Sequence, residues 1–185
     1  MTARLFIALD LPPAIVEALV AWRAPLLAGS ERLRAVAPEA LHVTLCFLGE
    51  RAQAAIEPLG RIVERVAEPA GGLALGGPLW LPRRRPRVLA AALEDHHGTL
   101  GALQARLMDA LAADDWHAPD AHGSQRAYLP HVTVARVRDG AGPLGDREIA
   151  PPPPLAFEGA ALTLYRSQLE PTGARYRAER RVTLA

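Results

Sequence analysis

The chain has 185 residues, 50% of them hydrophobic and 22% charged, the profile of a folded globular protein rather than a disordered one. All 21 residues counted as Lys or Arg are Arg, so a Walker-type phosphate loop, a pyridoxal Schiff base and a lysyl-nucleotide intermediate are excluded. With 20 Asp and Glu the formal net charge is only +1, and any anionic ligand must be held by a local arrangement, not by a basic surface. A lone Cys46 cannot close an intramolecular disulfide, and no apolar run reaches the ~18 residues of a membrane-spanning helix. Met1 to Arg4 leads into only a short apolar stretch, so a soluble cytoplasmic monomer is expected.

Arg4 to Leu9 predicts a buried strand ending at Asp10. Pro12 and Pro13 then open a helix with Ile15, Val16, Leu19, Val20 and Trp22 on one stripe, ended by Pro25 and Gly29. Leu41 to Leu48 reads as a strand, followed by a helix from about Gln53 to Glu68 and a Gly-interrupted strand from Leu73 to Leu81. After the loop Pro82 to Arg87 the order repeats. A strand at Val88 to Leu93 precedes a helix with Leu100, Leu103, Leu107 and Leu111 on one stripe, then a polar loop and a strand at His131 to Val137. Gly140 to Pro154 reads as a loop in which Pro151 to Pro154 is a rigid connector. Leu155 to Tyr165 and Ala174 to Leu184 are terminal strands around a turn at Glu170 to Gly173.

The chemically informative feature is a repeat, His42-Val43-Thr44-Leu45 and His131-Val132-Thr133-Val134, offset by 89 positions. On a strand, residues i and i+2 share a face, so each His points with its Thr while the intervening Val points into the core. If the two halves pair about an approximate two-fold axis, two imidazoles and two hydroxyls meet across one cleft. That set suits acid–base displacement at phosphorus. One neutral imidazole takes a proton from water, one protonated imidazole gives a proton to the departing oxygen, and an ordinary pKa near 6.5 makes both forms accessible. Thr44 and Thr133 would donate to the non-bridging oxygens. No metal and no cofactor is required by this scheme.

With these motifs the chain resembles the 2H phosphoesterase superfamily, specifically the bacterial RNA 2′,3′-cyclic phosphodiesterases, also called 2′-5′ RNA ligases. The likeness spans nearly the whole length: Arg4 to Pro13, Leu41 to Gly49, Arg85 to Leu89, Leu100 to Leu107, Pro130 to Arg136 and Leu164 to Leu169. It implies an α+β fold, a two-lobed pseudo-symmetric duplication with antiparallel sheets facing a central cleft and helices outside, its lobes matching the approximate sequence halves 1–82 and 83–185. It further implies hydrolysis of a 2′,3′-cyclic phosphate at an RNA 3′ end to a 2′-phosphate, with His42 as proton donor and His131 as proton acceptor. Thr44 and Thr133 would bind the phosphate, with Arg136 as a candidate to neutralise it. Cys46 stands where the family usually has Lys, and Leu129 where it often has a basic residue, so two flanking charges are missing.

Three other readings stay open: ATP-independent ligation by the reverse reaction, hydrolysis of small cyclic nucleotides, and a non-catalytic RNA- or nucleotide-binding module. The Arg83, Arg84, Arg85 and Arg87 cluster reads equally well as an RNA-backbone contact or as a solvated loop. His96 and His97 lack metal-ligand spacing, and His117 and His122 read as surface residues. By alternation Cys46 belongs on the His42 face and is no expected nucleophile. Phe47 belongs in the core, and Tyr128 and Phe47 are the aromatic residues near enough to the motifs to stack on a base.

Overall fold

The computed structural model describes residues 1–116, 128–138, 149–170 and 173–184. Nine strands run through them: β1 (Thr2–Asp10), β2 (Leu33–Ala35), β3 (His42–Ala52), β4 (Leu73–Leu81), β5 (Val88–Asp95), β6 (His131–Val137), β7 (Ala156–Phe157), β8 (Ala161–Glu170) and β9 (Gly173–Thr183). The helices are α1 (Pro13–Ala28), α2 (Ile56–Val66) and α3 (Thr99–Ala113), with single 3₁₀ turns at Pro38–Ala40 and Gln53–Ala55. No described helix is long and apolar enough to cross a membrane.

Each helix shows why it forms. α3 buries Leu100, Leu103, Leu107 and Leu111 at spacings of three and four, one continuous stripe. α2 buries Leu59, Ile62, Val63 and Val66 in the same way. α1 begins on Pro13, whose fixed φ suits a first turn, and runs through Pro25 to Ala28 instead of stopping there. Pro25 withholds one bond from the Ala21 carbonyl, but its own carbonyl accepts from Gly29 N–H, so the helix carries one further turn. Its buried residues are Ile15, Leu19 and Arg23, so a guanidinium completes the inward stripe, while Val16, Val20 and Trp22 of the expected stripe are half-buried against the core.

All strand pairs are antiparallel and join one curled sheet in the order β7-β4-β5-β6-β3-β1-β8-β9, with β2 on β6. α1 lies over β2 and β6, α3 over β3 and β5, and α2 against α3, β8 and β9. The α+β architecture with two antiparallel half-sheets about a cleft is therefore present, β7-β4-β5-β6 on one side and β3-β1-β8-β9 on the other. Its halves are not the sequence halves 1–82 and 83–185. β4 comes from the first half yet pairs with β5, while β8 and β9 come from the second half yet pair onto β1. The physical reason is local. Only six residues separate Leu81 from Val88, and an antiparallel hairpin across so short a loop has the lowest closure entropy available. A boundary at 82 cuts that hairpin.

Three smaller differences from the sequence reading have similar causes. The expected strand Leu155 to Tyr165 divides into β7 on β4 and β8 on β1, so this stretch carries the chain from one half-sheet to the other. The three-residue β2 is too short to leave a periodic signal. The Pro151–Pro154 run takes neither helix nor strand. Residues 171–172 of the expected turn, 139–148 of the expected loop, and His117 and His122 lie outside the described residues.

Because Leu103 is fully buried on the α3 stripe, Leu103→Ala should lower unfolding stability by roughly 2–5 kcal/mol in urea titrations. Asp109→Ala on the exposed face of the same helix should change it by less than about 0.5 kcal/mol.

Candidate active site

The two half-sheets meet where Val43 of β3 faces Val132 of β6. Antiparallel counting outward from that pair sets His42 beside Thr133 and Thr44 beside His131. Both valines are fully buried, so the four polar side chains stand on the opposite face. There all four line a cleft of ≈ 840 Å³.

A matched irregularity follows in each strand. On β3, Thr44 faces Ala8 and Cys46 faces Ile7, leaving Leu45 with no opposite residue. On β6, Thr133 faces Ala90 and Ala135 faces Leu89, leaving Val134 in the same position. Each is a β-bulge at the fourth residue of the motif, and each inverts the alternation beyond it. Burial shows the result: both strands open half-buried, buried, half-buried, buried, buried, exposed. Cys46 therefore turns into the core at 5% exposure, while Phe47 emerges at 50% and lines the cleft. Alternation predicted the reverse for both residues. On β6 the same bulge returns Arg136, at an odd spacing from His131, to the histidine face. A further register shift falls at Leu48–Gly49, where Gly49 takes φ 71°, a conformation costly for any residue with a Cβ.

The histidines are held alike. His42 Nδ1–H donates to the Ala40 carbonyl at 2.8 Å, and His131 Nδ1–H donates to the Leu129 carbonyl at 2.8 Å. A carbonyl only accepts, so the proton resides on Nδ1 in each neutral ring and Nε2 is left as the proton-exchanging nitrogen. Thr44 Oγ1 lies 3.1 Å from His42 Nε2 and donates to it in that tautomer.

Around His42 the cleft floor is aromatic. Phe6 lies 4.9 Å from it, centroid to centroid, and Tyr176 meets it edge-on at 5.3 Å. Tyr165 stacks on Phe6 at 5.3 Å, and its hydroxyl donates to Asp10 Oδ1 at 2.8 Å. Asp10 also accepts from Thr163 and Arg181. Burial among these groups lowers the His42 pKa to about 4, opposed by the Ala40 bond and Asp10 and assisted by Arg136 and His131. Arg23, 4% exposed, reaches through from α1: its Nη1 donates to the Val36 carbonyl and, at 2.9 Å, to the carbonyl of the bulged Val134. That explains the guanidinium in an apolar stripe. It gives the Val36 carbonyl a donor and adds a second one to the Val134 carbonyl, which also accepts from Val36 N–H at 3.0 Å.

This geometry coincides with a family match. The family model of the 2′-5′ RNA ligase superfamily matches residues 11–170. The chain belongs to the 2′-5′ RNA ligase superfamily. It is 32% identical over 190 residues to the RNA 2′,3′-cyclic phosphodiesterase of Escherichia coli (strain K12), covering 94% of this chain and 92% of that one. Among solved structures, E. coli LigT complexed with 3′-AMP superposes with TM-score 0.78 at 29% identity, covering 100% of this chain and 99% of that one. TT0787 of Thermus thermophilus gives TM-score 0.77 at 28% identity, covering 98% and 97%.

Within this superfamily fold, His42, Thr44, His131, Thr133 and Arg136 come to one cleft. Arg83, Arg84, Arg85 and Arg87 are not among its lining residues; they occupy the loop between β4 and β5. His96 lies 3.3 Å from Glu94 at the surface, and no group of three or more His, Cys, Asp or Glu suited to a metal occurs among the described residues. Tyr128 donates its hydroxyl to the Thr44 carbonyl at 3.2 Å, which ties down the first motif. Cys46 faces the core, so its lack of charge takes nothing from the cleft. Sequence reading missed Arg4, Phe6, Arg34 and Tyr176 as cleft residues, since the topology alone brings β1, β2 and β9 beside the motifs.

The lowered His42 pKa has a measurable consequence. Between pH 6.5 and 4 the unfolded chain binds a proton at this ring that the folded chain refuses, so stability is complete above about 6.5 and falls as pH drops toward 4. In urea titrations His42→Gln should lose less stability than the wild type across that window, by roughly 2 kcal/mol for a half-buried ring. Equal losses in both proteins would contradict the burial of a neutral imidazole.

Proposed function

We propose that the chain hydrolyses the 2′,3′-cyclic phosphate at an RNA 3′ end to a 2′-phosphate without a metal ion, with His42 as proton donor and His131 as proton acceptor. The observation that carries this reading is the Val43–Val132 pair, which brings two oriented imidazoles and two hydroxyls to one cleft face. The name of the E. coli relative and the 3′-AMP held by LigT support it.

In this mechanism water attacks phosphorus while His131 Nε2 takes its proton. The bond from phosphorus to O3′ breaks, and His42 Nε2–H protonates the departing oxygen. The 2′ ester remains, giving a 2′-phosphate and a free 3′-hydroxyl. Proton exchange with solvent then resets both rings. Thr44, Thr133 and Arg136 hold the non-bridging oxygens and meet the charge that grows on them.

Burial keeps His42 neutral near pH 7, so the donor must acquire its proton as substrate arrives. A bound phosphodiester supplies a negative charge beside His42 and offsets Arg136, whose positive charge helps to lower the pKa of the ring. Thr44 is then released from Nε2 to a phosphate oxygen. The same groups run in reverse would join a cyclic phosphate end to a 5′-hydroxyl without ATP, and the high concentration of water favours hydrolysis.

An oligoribonucleotide ending in 2′,3′-cyclic phosphate, incubated with the protein in excess EDTA, should be opened to the 2′-phosphate. His42→Ala and His131→Ala should each lose on the order of 10²- to 10⁴-fold in rate. Turnover abolished by EDTA, or near-full activity in either variant, would refute the mechanism.

A further inference from the structure

Arg4, Arg34, Arg136 and Arg138 line the cleft, and no Asp or Glu stands among the described residues that line it. For a chain with net charge +1 this is a strong local excess. The cleft shares Arg34, Arg136, Ala174 and Tyr176 with a side groove of ≈ 550 Å³, to which Arg175 and the buried Arg23 add and where Glu39 is the only acid among the described residues.

Two of these arginines face each other across a strand pair. β3 touches β6 at Val132, and beyond it β2 takes the same edge of β6, so that Arg34 and Arg136 are direct cross-strand partners. Like charges directly opposite each other destabilise a strand pair. With Arg136 on the reacting phosphate, a further phosphate at Arg34 adds a charge-assisted contact that a guanidinium fork suits. Arg34 lies beside the fifth residue beyond His131; with one residue taken up by the bulge, that is roughly 13 Å of strand. Arg136 reaches back to the anion between the histidines, while Arg34, on β2, and Arg175, in the side groove, carry the positive lining away from it. Tyr176 borders both spaces and meets His42 edge-on, a wall between them against which a nucleoside can lie.

We propose that Arg34, with Arg175 at the groove, forms a second phosphate subsite for the phosphodiester on the 5′ side of the terminal nucleoside of an RNA chain, beside Arg136, which stays with the reacting phosphate. This rests on the reading that the cleft opens a 2′,3′-cyclic phosphate. It selects a polynucleotide end over a small cyclic nucleotide, and it works through Arg34 and Arg175, which the acid–base step does not use.

The test compares kcat/KM at fixed ionic strength for a nucleoside 2′,3′-cyclic phosphate, its 5′-phosphorylated form, and a dinucleotide ending in the cyclic phosphate. In the wild type the dinucleotide and the 5′-phosphorylated form should exceed the bare nucleoside by on the order of tenfold. Arg34→Gln should bring that ratio to about one, and Arg34→Lys should retain part of it because the charge remains. Reading a ratio within each variant separates the subsite from any general loss of folded protein. No gain in the wild type, an undiminished ratio in Arg34→Gln, or a gain confined to the 5′-phosphomonoester would each overturn the RNA subsite while leaving the cleft reading intact. Failure of the wild type to open any of the three substrates would overturn the cleft reading and the subsite together.

Discussion

Val43 and Val132 join two antiparallel half-sheets at one Cα pair, and that pair lies between two copies of the same His-Val-Thr sequence. Antiparallel pairing about a residue i sets i−1 of one strand beside i+1 of the other, so centring on the valines crosses the motifs, each His beside the other's Thr. A slip of one residue would place histidines on the buried face and valines in the cleft. The full burial of both valines makes that slip expensive, and hydrophobic packing thereby fixes the register of the polar groups.

The paired bulges extend this control to the flanking residues. They turn Phe47 and Arg136 toward the cleft and Cys46 and Ala135 toward the core. An apolar ring and a cation thus occupy equivalent positions on the two sides, which breaks the near-symmetry of the repeat. Arg23 ties one bulge to α1 through the Val134 carbonyl. Burial breaks the symmetry again. His42 sits among Phe6, Tyr165 and Tyr176, and its neutral form is favoured until a negative charge arrives.

Much of this was legible in the sequence because the informative features are local. The α3 leucine stripe, the β6 limits and the His-x-Thr geometry each follow from periodicity over a few residues. Features that depend on partner strands were not legible. Cys46 and Phe47 were misplaced because a bulge is defined by the residue opposite, here on β1. Arg34 and Tyr176 carry no motif, and they reach the cleft only because β2 takes over the edge of β6 and β9 pairs with β8. The exchange of β4 against β8 and β9 defeated a simple division into sequence halves for the same reason.

The paired-histidine mechanism assigns different work to two side chains of the same type. The measurement that tests it most directly uses a cyclic phosphate substrate in which sulfur replaces the leaving O3′. A thiolate departs without a proton, so His42→Ala should recover most of the wild-type rate on this substrate while His131→Ala should remain impaired. Recovery in His131→Ala instead, or in neither variant, would contradict the proposed roles.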